Sequence, residues 1–431
     1  MEIKRERYLS QLIQFKWDGM VKVVTGIRRS GKSYLLNVLF RNYLKEQGVD
    51  ENHILFFALD NDKYLRYRNP LELSAFVRGL VENSEDQYYL FVDEIQMSDA
   101  VDNPYNPSGK KVTFYDVLNG LNSLENLDIY VTGSNSKMLS SDILTEFRGR
   151  SDEIRVHPLS FAEYYSTVGG DKRDAFDEYA FYGGMPLVIS RPDDAAKMKY
   201  LSSLFAEVYL KDIVDRKKVE REDVLAYTLD LLCSSVGSLS NPTKIADTLK
   251  TVQHIDVAQN TVKAYIDHLI DSFLFAESKR YDVKGRAYFN YPNKYYCEDV
   301  GLRNARIGFR QPEMTHIMEN IIYNELIARE FNVDVGVVEY NYKDQNGKKI
   351  RSQLEIDFVV NSGSNRYYIQ SALSVADEEK RQQEINSLKR VADSFKKIVV
   401  VKDAIIPWHD EDGIYYVGIE QFLLDENCIN M

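Results

Sequence analysis

The stretch Val21-Lys22-Val23-Val24-Thr25-Gly26-Ile27-Arg28-Arg29-Ser30-Gly31-Lys32-Ser33-Tyr34-Leu35-Leu36-Asn37-Val38-Leu39-Phe40 decides the fold. Val21 to Thr25 is a short β-branched run, which favours a strand. Glycines frame the turn that follows, and the apolar run from Tyr34 reads as a helix. Strand, glycine-framed turn and helix with the spacing GxxxxGKS make a phosphate-binding loop. In such a turn, backbone N–H groups of the loop and of the helix start converge on an anion. Gly26, Ile27, Arg28, Arg29, Ser30, Gly31, Lys32, Ser33 and Tyr34 are the predicted nucleotide contacts. Lys32 is expected to reach the β- and γ-phosphates, with the Ser33 hydroxyl on Mg²⁺. The competing reading is a glycine turn that happens to precede a helix; having both flanks correct argues against it.

A loop of this kind needs an acidic partner. Tyr88-Tyr89-Leu90-Phe91-Val92-Asp93-Glu94 provides one, because its apolar run reads as a strand buried on both faces. Asp93 then emerges at the carboxyl end of a parallel sheet, where such sheets bind ligands. Asp93 is assigned to Mg²⁺ and Glu94 to the general base that orients water. The alternative is a solvated acidic turn. Further strands are expected at residues 53–59 and 128–133. Ser134 or Asn135, after the latter, is the candidate sensor of the γ-phosphate, against a plain turn or helix cap. Arg148 and Arg150 are candidate arginine fingers, in cis or from a neighbouring subunit; either could equally hold a surface carboxylate. Residues 99–111, rich in Asp, Asn, Pro and Gly, read as an exposed loop.

The chain has 431 residues, 44% hydrophobic and 28% charged, and a net charge of −12. That length predicts two or three domains and the composition a soluble globular protein. No apolar run approaches the ~20 residues that span a bilayer, and the charged start lacks a secretory pattern. Cys233, Cys297 and Cys428 are far apart and lack metal-ligand spacing, as expected for thiols in a reducing, cytoplasmic setting. The negative charge disfavours a broad nucleic-acid surface but leaves room for a local basic patch.

Several blocks together resemble the bacterial and archaeal AAA-type ATPases that carry a restriction-nuclease-like C-terminal domain of unknown function. They are the phosphate loop with its paired arginines, Phe91-Val92-Asp93-Glu94-Ile95-Gln96, Thr132-Gly133-Ser134-Asn135-Ser136, Gly149-Arg150 with His157-Pro158-Leu159-Ser160-Phe161-Ala162-Glu163-Tyr164, and Tyr182-Gly183-Gly184-Met185-Pro186. The resemblance implies an α/β fold: a P-loop NTPase of AAA type with parallel sheet order 5-1-4-3-2, binding ATP and Mg²⁺. It also implies a helical lid and a C-terminal restriction-endonuclease-like α/β domain, and it names no substrate. The expected partition is 1–160 for the ATPase core, 161–220 for the lid, 221–300 for a winged-helix-like unit and 301–431 for the nuclease-like domain.

The winged-helix reading rests on helical patterns near residues 225–232, 242–249 and 261–270, a strand at 273–277 and a hairpin wing at 281–286. Asn241 caps the second helix and Pro242 opens it. Lys279, Arg280, Lys284 and Arg286 form a small basic cluster. DNA contact and protein packing are both open readings, with packing favoured. In the last domain an amphipathic helix around 318–326 carries Glu319, and a strand carries Glu355 and Asp357. Glu319 and Asp357 match a nuclease motif, but Gln370-Ser371-Ala372 stands where an acidic-x-Lys would be needed to hold metal and polarise water. Cutting activity is not expected. Lys380 and Arg381 could replace the lysine only with unusual geometry.

Two functions fit these features. The first is a Mg²⁺-dependent ATPase acting as a conformational switch on a partner the sequence does not name. The alternative is an ATP-dependent DNA-binding or DNA-processing protein with an inactive nuclease-like domain. A nucleotide-held scaffold is disfavoured by Glu94. An arginine finger acting in trans implies a homo-oligomer.

Overall fold

The computed structural model describes residues 3–134, 147, 149–310, 313–343 and 348–430. They form two compact units, Met1–His157 with Asp271–Phe273, and Pro158–Ile270 with Leu274–Met431.

The first unit is built on five strands: β1 (Val21–Thr25), β2 (Ile54–Ala58), β3 (Tyr88–Asp93), β4 (Leu127–Thr132) and β5 (Ser151–Arg155). All pair in parallel in the order β2-β3-β4-β1-β5, the order the family resemblance implies. Every residue of β1, β3 and β4 is buried, because helices cover both faces. Successive strand residues point to opposite faces, so two cores result. Val21, Val23, Leu90, Val92, Ile129 and Val131 pack against α3 (Pro70–Val81) and α4 (Phe114–Leu121). Val24, Phe91 and Tyr130 pack against α1 (Glu6–Gln14) and the helical run α2, which continues unbroken through Lys32–Tyr34, Leu35–Phe40 and Arg41–Glu46. Asn69 caps α3 with Pro70 in its first turn, and Thr113 caps α4 in a reciprocal box with Asp116. The segment 99–111 is largely exposed, as expected, and closed by a Val101–Val112 bridge.

The second unit begins with helices α5 (Phe161–Val168), α6 (Lys172–Tyr182), α7 (Asp194–Ser203, continuing through Leu204–Leu210) and α8 (Lys211–Lys217). Then come α9 (Glu222–Ser234), α10 (Pro242–Val252), α11 (Gln259–Asp271) and β6 (Phe275–Ser278). Asn241 caps α10 through the Lys244 N–H, as expected. After the short strands β7 (Arg280–Asp282) and β8 (Ala287–Tyr288), β9 (Lys294–Cys297) returns antiparallel to β6, and Ser240 bridges to Asn293.

Two expectations change. The hairpin at 281–286 does not stand free: β7 pairs in parallel with β10 (Asn332–Lys343) and so joins the C-terminal sheet. The helix around Glu319 is longer, α13 (Met314–Ala328), following α12 (Val300–Arg306). It is buried on nearly every side rather than amphipathic. The reason is packing, with Phe161, Phe176 and Tyr179 on one side and the sheet residues Phe358 and Ile369 on the other.

The C-terminal sheet also contains β11 (Lys349–Ser362), β12 (Asn365–Ala372), β13 (Lys396–Val401), β14 (Trp408–His409) and β15 (Tyr415–Gly418), in the order β14-β15-β13-β12-β11-β10-β7-β8. β10, β11 and β12 are antiparallel neighbours, whereas β12 and β13 run parallel across the crossover helix α14 (Glu378–Lys389). Helix α15 (Ile419–Leu424) follows β15.

Candidate nucleotide site

The turn after β1 needs its glycines. Gly26 has φ +136°, and a Cβ there would lie 2.1 Å from the Val156 carbonyl oxygen. Gly31 has φ +100° at the entry of α2. Arg5, from the segment before α1, ties the loop down by donating to the Ser30 carbonyl at 3.1 Å and to the His157 carbonyl at 2.7 Å.

Lys32 is buried, and its Nζ donates to the carbonyls of Gly26 at 2.9 Å and Ile27 at 3.0 Å. Burial pulls this ammonium down to about 8, against the attraction of Glu94 and Asp93, while Arg28 adds repulsion. The Ser33 hydroxyl donates to Asp93 Oδ1 at 3.0 Å. Burial raises the Asp93 carboxyl above its ordinary value, while hydrogen bonds from Thr132 and Ser33 oppose the rise. Thr132 closes the cluster, because its hydroxyl donates to Asp93 Oδ1 and accepts the Glu94 N–H at 3.0 Å.

Glu94 sits just past β3 in a left-handed conformation, φ 56°. Its Oε2 accepts from Gln96 Nε2 and, at 3.4 Å, from the Ser134 hydroxyl. Ser134 in turn accepts from Gln96 Nε2 at 3.1 Å and from Arg28 Nε at 3.2 Å. Ser134 therefore joins the phosphate loop to the Glu94 carboxylate at the carboxyl end of the sheet. Glu94 is half-buried and Ser33 and Arg29 are exposed, so the cluster is reachable from solvent.

These residues fit a phosphate ester with a divalent cation. Gly26 leaves a cradle that a Cβ would fill, and the buried Ser30 hydroxyl has no hydrogen-bond partner among the described residues. Lys32 supplies the countercharge, and Ser33 beside Asp93 supplies a pair of hard oxygen donors.

Sequence reasoning missed Thr132 and Arg5. Thr132 was visible only as the end of a strand, and Arg5 lies far from the loop in the chain. Asn135 and Arg148 lie outside the described residues. Arg150 does not support a cis finger. Its carbonyl accepts from Val21 N at the start of β1, whereas the phosphate loop leaves the other end of that strand. The strand's five residues separate the two by roughly 16 Å. Arg150 is exposed.

The C-terminal acidic residues also converge. Glu319 on α13 and Glu355 and Asp357 on β11 surround Lys294 on β9. Burial and then Asp357 push the Glu319 carboxyl up to about 7, against Lys294 and Tyr296. Gln370 Oε1 accepts the Asp357 N–H at 3.4 Å, and Arg381 pairs with Glu378 instead of serving this centre. Among the described residues no group of three or more His, Cys, Asp or Glu is arranged to hold a metal ion. The three cysteines are buried and free, and among those residues no helix is long and apolar enough to cross a membrane.

Comparison with known proteins matches three successive parts of the chain. Residues 18–165 match an AAA domain, residues 173–313 a domain of unknown function (DUF8612), and residues 314–422 another, DUF4143. An uncharacterized protein of Haemophilus influenzae is 32% identical over 427 residues, covering 98% of both chains. An uncharacterized protein of Methanocaldococcus jannaschii is 24% identical over 98% of this chain and 89% of its own. Among solved structures, the Walker-type ATPase of Pyrococcus abyssi aligns over 71% of this chain and 96% of its own, at 16% identity and a TM-score of 0.47.

Proposed function

The chain belongs to the family of AAA-domain proteins that end in a DUF4143 domain, and from that premise we propose a Mg²⁺-dependent ATPase that switches its hold on a macromolecular partner. The observation that carries this reading is the continuous network Arg28–Ser134–Glu94–Thr132–Asp93–Ser33 beside Lys32. It connects groups suited to bind phosphate, hold a cation and orient water.

In this reading Gly26 to Tyr34 cradle the phosphates, and Ser33 and Asp93 hold Mg²⁺. Mg²⁺·ATP supplies the electrophilic γ-phosphoryl group. Lys32 leaves the loop carbonyls and neutralises phosphate charge. Glu94 orients the attacking water and takes its proton. Ser134 holds the Glu94 carboxylate, and Ser134 or Asn135 senses the γ-phosphate. Arg148, in cis or in trans, or Arg150, in trans, serves as the arginine finger, and action in trans makes the working form a homo-oligomer. The 161–220 helices serve as the lid, 221–300 as the winged-helix-like unit, whose β7–β8 hairpin is shared with the C-terminal sheet, and 301–431 as the nuclease-like domain. Three buried thiols suit a cytoplasmic protein.

A second reading takes the partner as duplex DNA. It is supported by the helix order α9-α10-α11 followed by the β6–β9 pair and the Ser240–Asn293 bridge, a winged-helix order. Two observations oppose it. Lys263, on the outer face of α11, pairs with Asp267, and the basic hairpin is partly spent within the chain. There Arg280 donates to Gln353 and Lys284 to the Glu339 carbonyl.

The test is steady-state ATP hydrolysis with and without duplex DNA, single-stranded DNA and RNA at controlled low salt. Hydrolysis unaffected by nucleic acid supports a protein partner, stimulation by duplex DNA supports the second reading, and no hydrolysis in any arm contradicts both.

A further inference from the structure

Three carboxylates of the second unit converge on one cation, and that cation is a side chain. Lys294 Nζ lies 2.7 Å from Glu319 Oε1, 2.7 Å from Glu355 Oε1 and 3.5 Å from Asp357 Oδ1. Lys294 is 2% exposed, Glu319 6% and Asp357 7%. An ammonium has three donors, and here three acceptors meet them. The remaining acceptor capacity is partly committed as well. Tyr296 OH donates to Glu319 Oε1 at 2.7 Å, and the Ser371 N–H donates to Asp357 Oδ2 at 2.9 Å.

These are the residues that a nuclease-like reading assigns to Mg²⁺, and they do not fit it. Mg²⁺ needs oxygens at about 2.1 Å in near-octahedral array. Here Glu319 and Glu355 each place an oxygen 2.7 Å from an ammonium nitrogen instead. Gln370, in the third ligand position, turns its carbonyl toward the Asp357 N–H. A second cation has no place among oxygens already bonded to Lys294.

The origin of the lysine matters. Lys294 and Tyr296 come from β9, inside the 173–313 match, whereas Glu319, Glu355 and Asp357 belong to the 314–422 match. The centre therefore straddles the boundary between the two family domains and fastens β9 to the C-terminal sheet.

We infer that the Lys294 ammonium is the resident cation of this centre and that it excludes a divalent ion while fixing β9 in place. The inference rests on side-chain geometry alone and stands whether or not the ATPase reading holds.

The test uses the full nucleotide-free chain, with Mn²⁺ as probe, bound Mn²⁺ counted by electron paramagnetic resonance and the thermal midpoint recorded. The native chain and Glu319→Gln should show the same Mn²⁺ response. Lys294→Met should unfold several degrees lower without metal and regain part of that loss with Mn²⁺, a recovery absent in Lys294→Met/Glu319→Gln. Mn²⁺ bound by the native chain and lost in Glu319→Gln would overturn the inference. So would a Lys294→Met chain as stable as the native one, or one that folds yet ignores Mn²⁺. If Lys294→Met does not fold, the comparison of native chain with Glu319→Gln decides alone.

Discussion

The Thr132 hydroxyl accepts the backbone N–H of Glu94 at 3.0 Å while donating to Asp93 Oδ1, so one strand-end side chain sets the positions of both acidic groups. Thr132→Val keeps the shape and deletes both bonds. The expected result is a kcat lower by roughly 10-fold or more with ATP affinity changed much less, because the phosphate loop is untouched. Steady-state kinetics beside equilibrium nucleotide binding check it. An equal loss in both would assign Thr132 a purely structural role.

Gly26→Ala places a Cβ 2.1 Å from the Val156 carbonyl oxygen at a φ of +136°. Either β5's continuation or the loop must move, at a cost of at least about 1–3 kcal/mol. Nucleotide binding should be lost even where the chain stays folded, as isothermal titration would show. Retained binding would mean that the loop has slack the geometry does not show.

Lys32 links function to stability. Its folded value is about 8, below the ordinary lysine value of 10.5 that the unfolded chain keeps. Between those values the unfolded state binds more protons, so the stability this group contributes rises with pH across that window. It is least favourable below pH 8, where a buried charge is retained. In nucleotide-free melts at pH 7.5, Lys32→Met should therefore be more stable than the native chain by roughly 2–6 °C while failing to bind ATP. The difference should shrink as the pH rises toward 10. A destabilised, pH-independent variant would contradict this.

Asp299 holds the glycine turn of the second unit. Its Oδ2 accepts the Gly184 N–H at 2.6 Å and its Oδ1 the Leu302 N–H at 2.9 Å. Burial raises its carboxyl to about 6, against those hydrogen bonds. With the folded value above the unfolded one, the contribution of this group is fully present below about pH 3.8 and lost as pH rises through 6. Asp299→Asn abolishes that slope and turns one acceptor into a donor facing a backbone N–H. The lost acceptor should cost about 1–3 kcal/mol below about pH 4 and less at neutral pH, where the variant also removes a buried charge, as denaturant unfolding at the two pH values would show.

Much of the first unit was legible because its signals are local. The phosphate loop and the Phe91-Val92-Asp93-Glu94 strand end each announce themselves within a dozen residues. Parallel pairing then brings them together, with β3 beside β4 and β4 beside β1. Arg5 was not legible because it binds carbonyls 25 and 152 residues away. The β7 hairpin was misplaced for a related reason, since a three-residue strand has no pattern that says which sheet it will join. Helix α13 read as amphipathic although packing on both sides buries its polar positions as well, Glu319 and Asn320 among them. Lys294 was invisible for the same reason, because a lone lysine in a tyrosine-rich strand gives no hint that three carboxylates await it.

The central claim is that Glu94 orients water for ATP hydrolysis, and the most direct measurement compares native chain with Glu94→Gln. Glu94→Gln keeps the side-chain shape and removes the base. The account predicts Mg²⁺·ATP affinity within a few-fold of native and a turnover reduced by about 10² or more. Unchanged turnover in a variant that still binds ATP would contradict it.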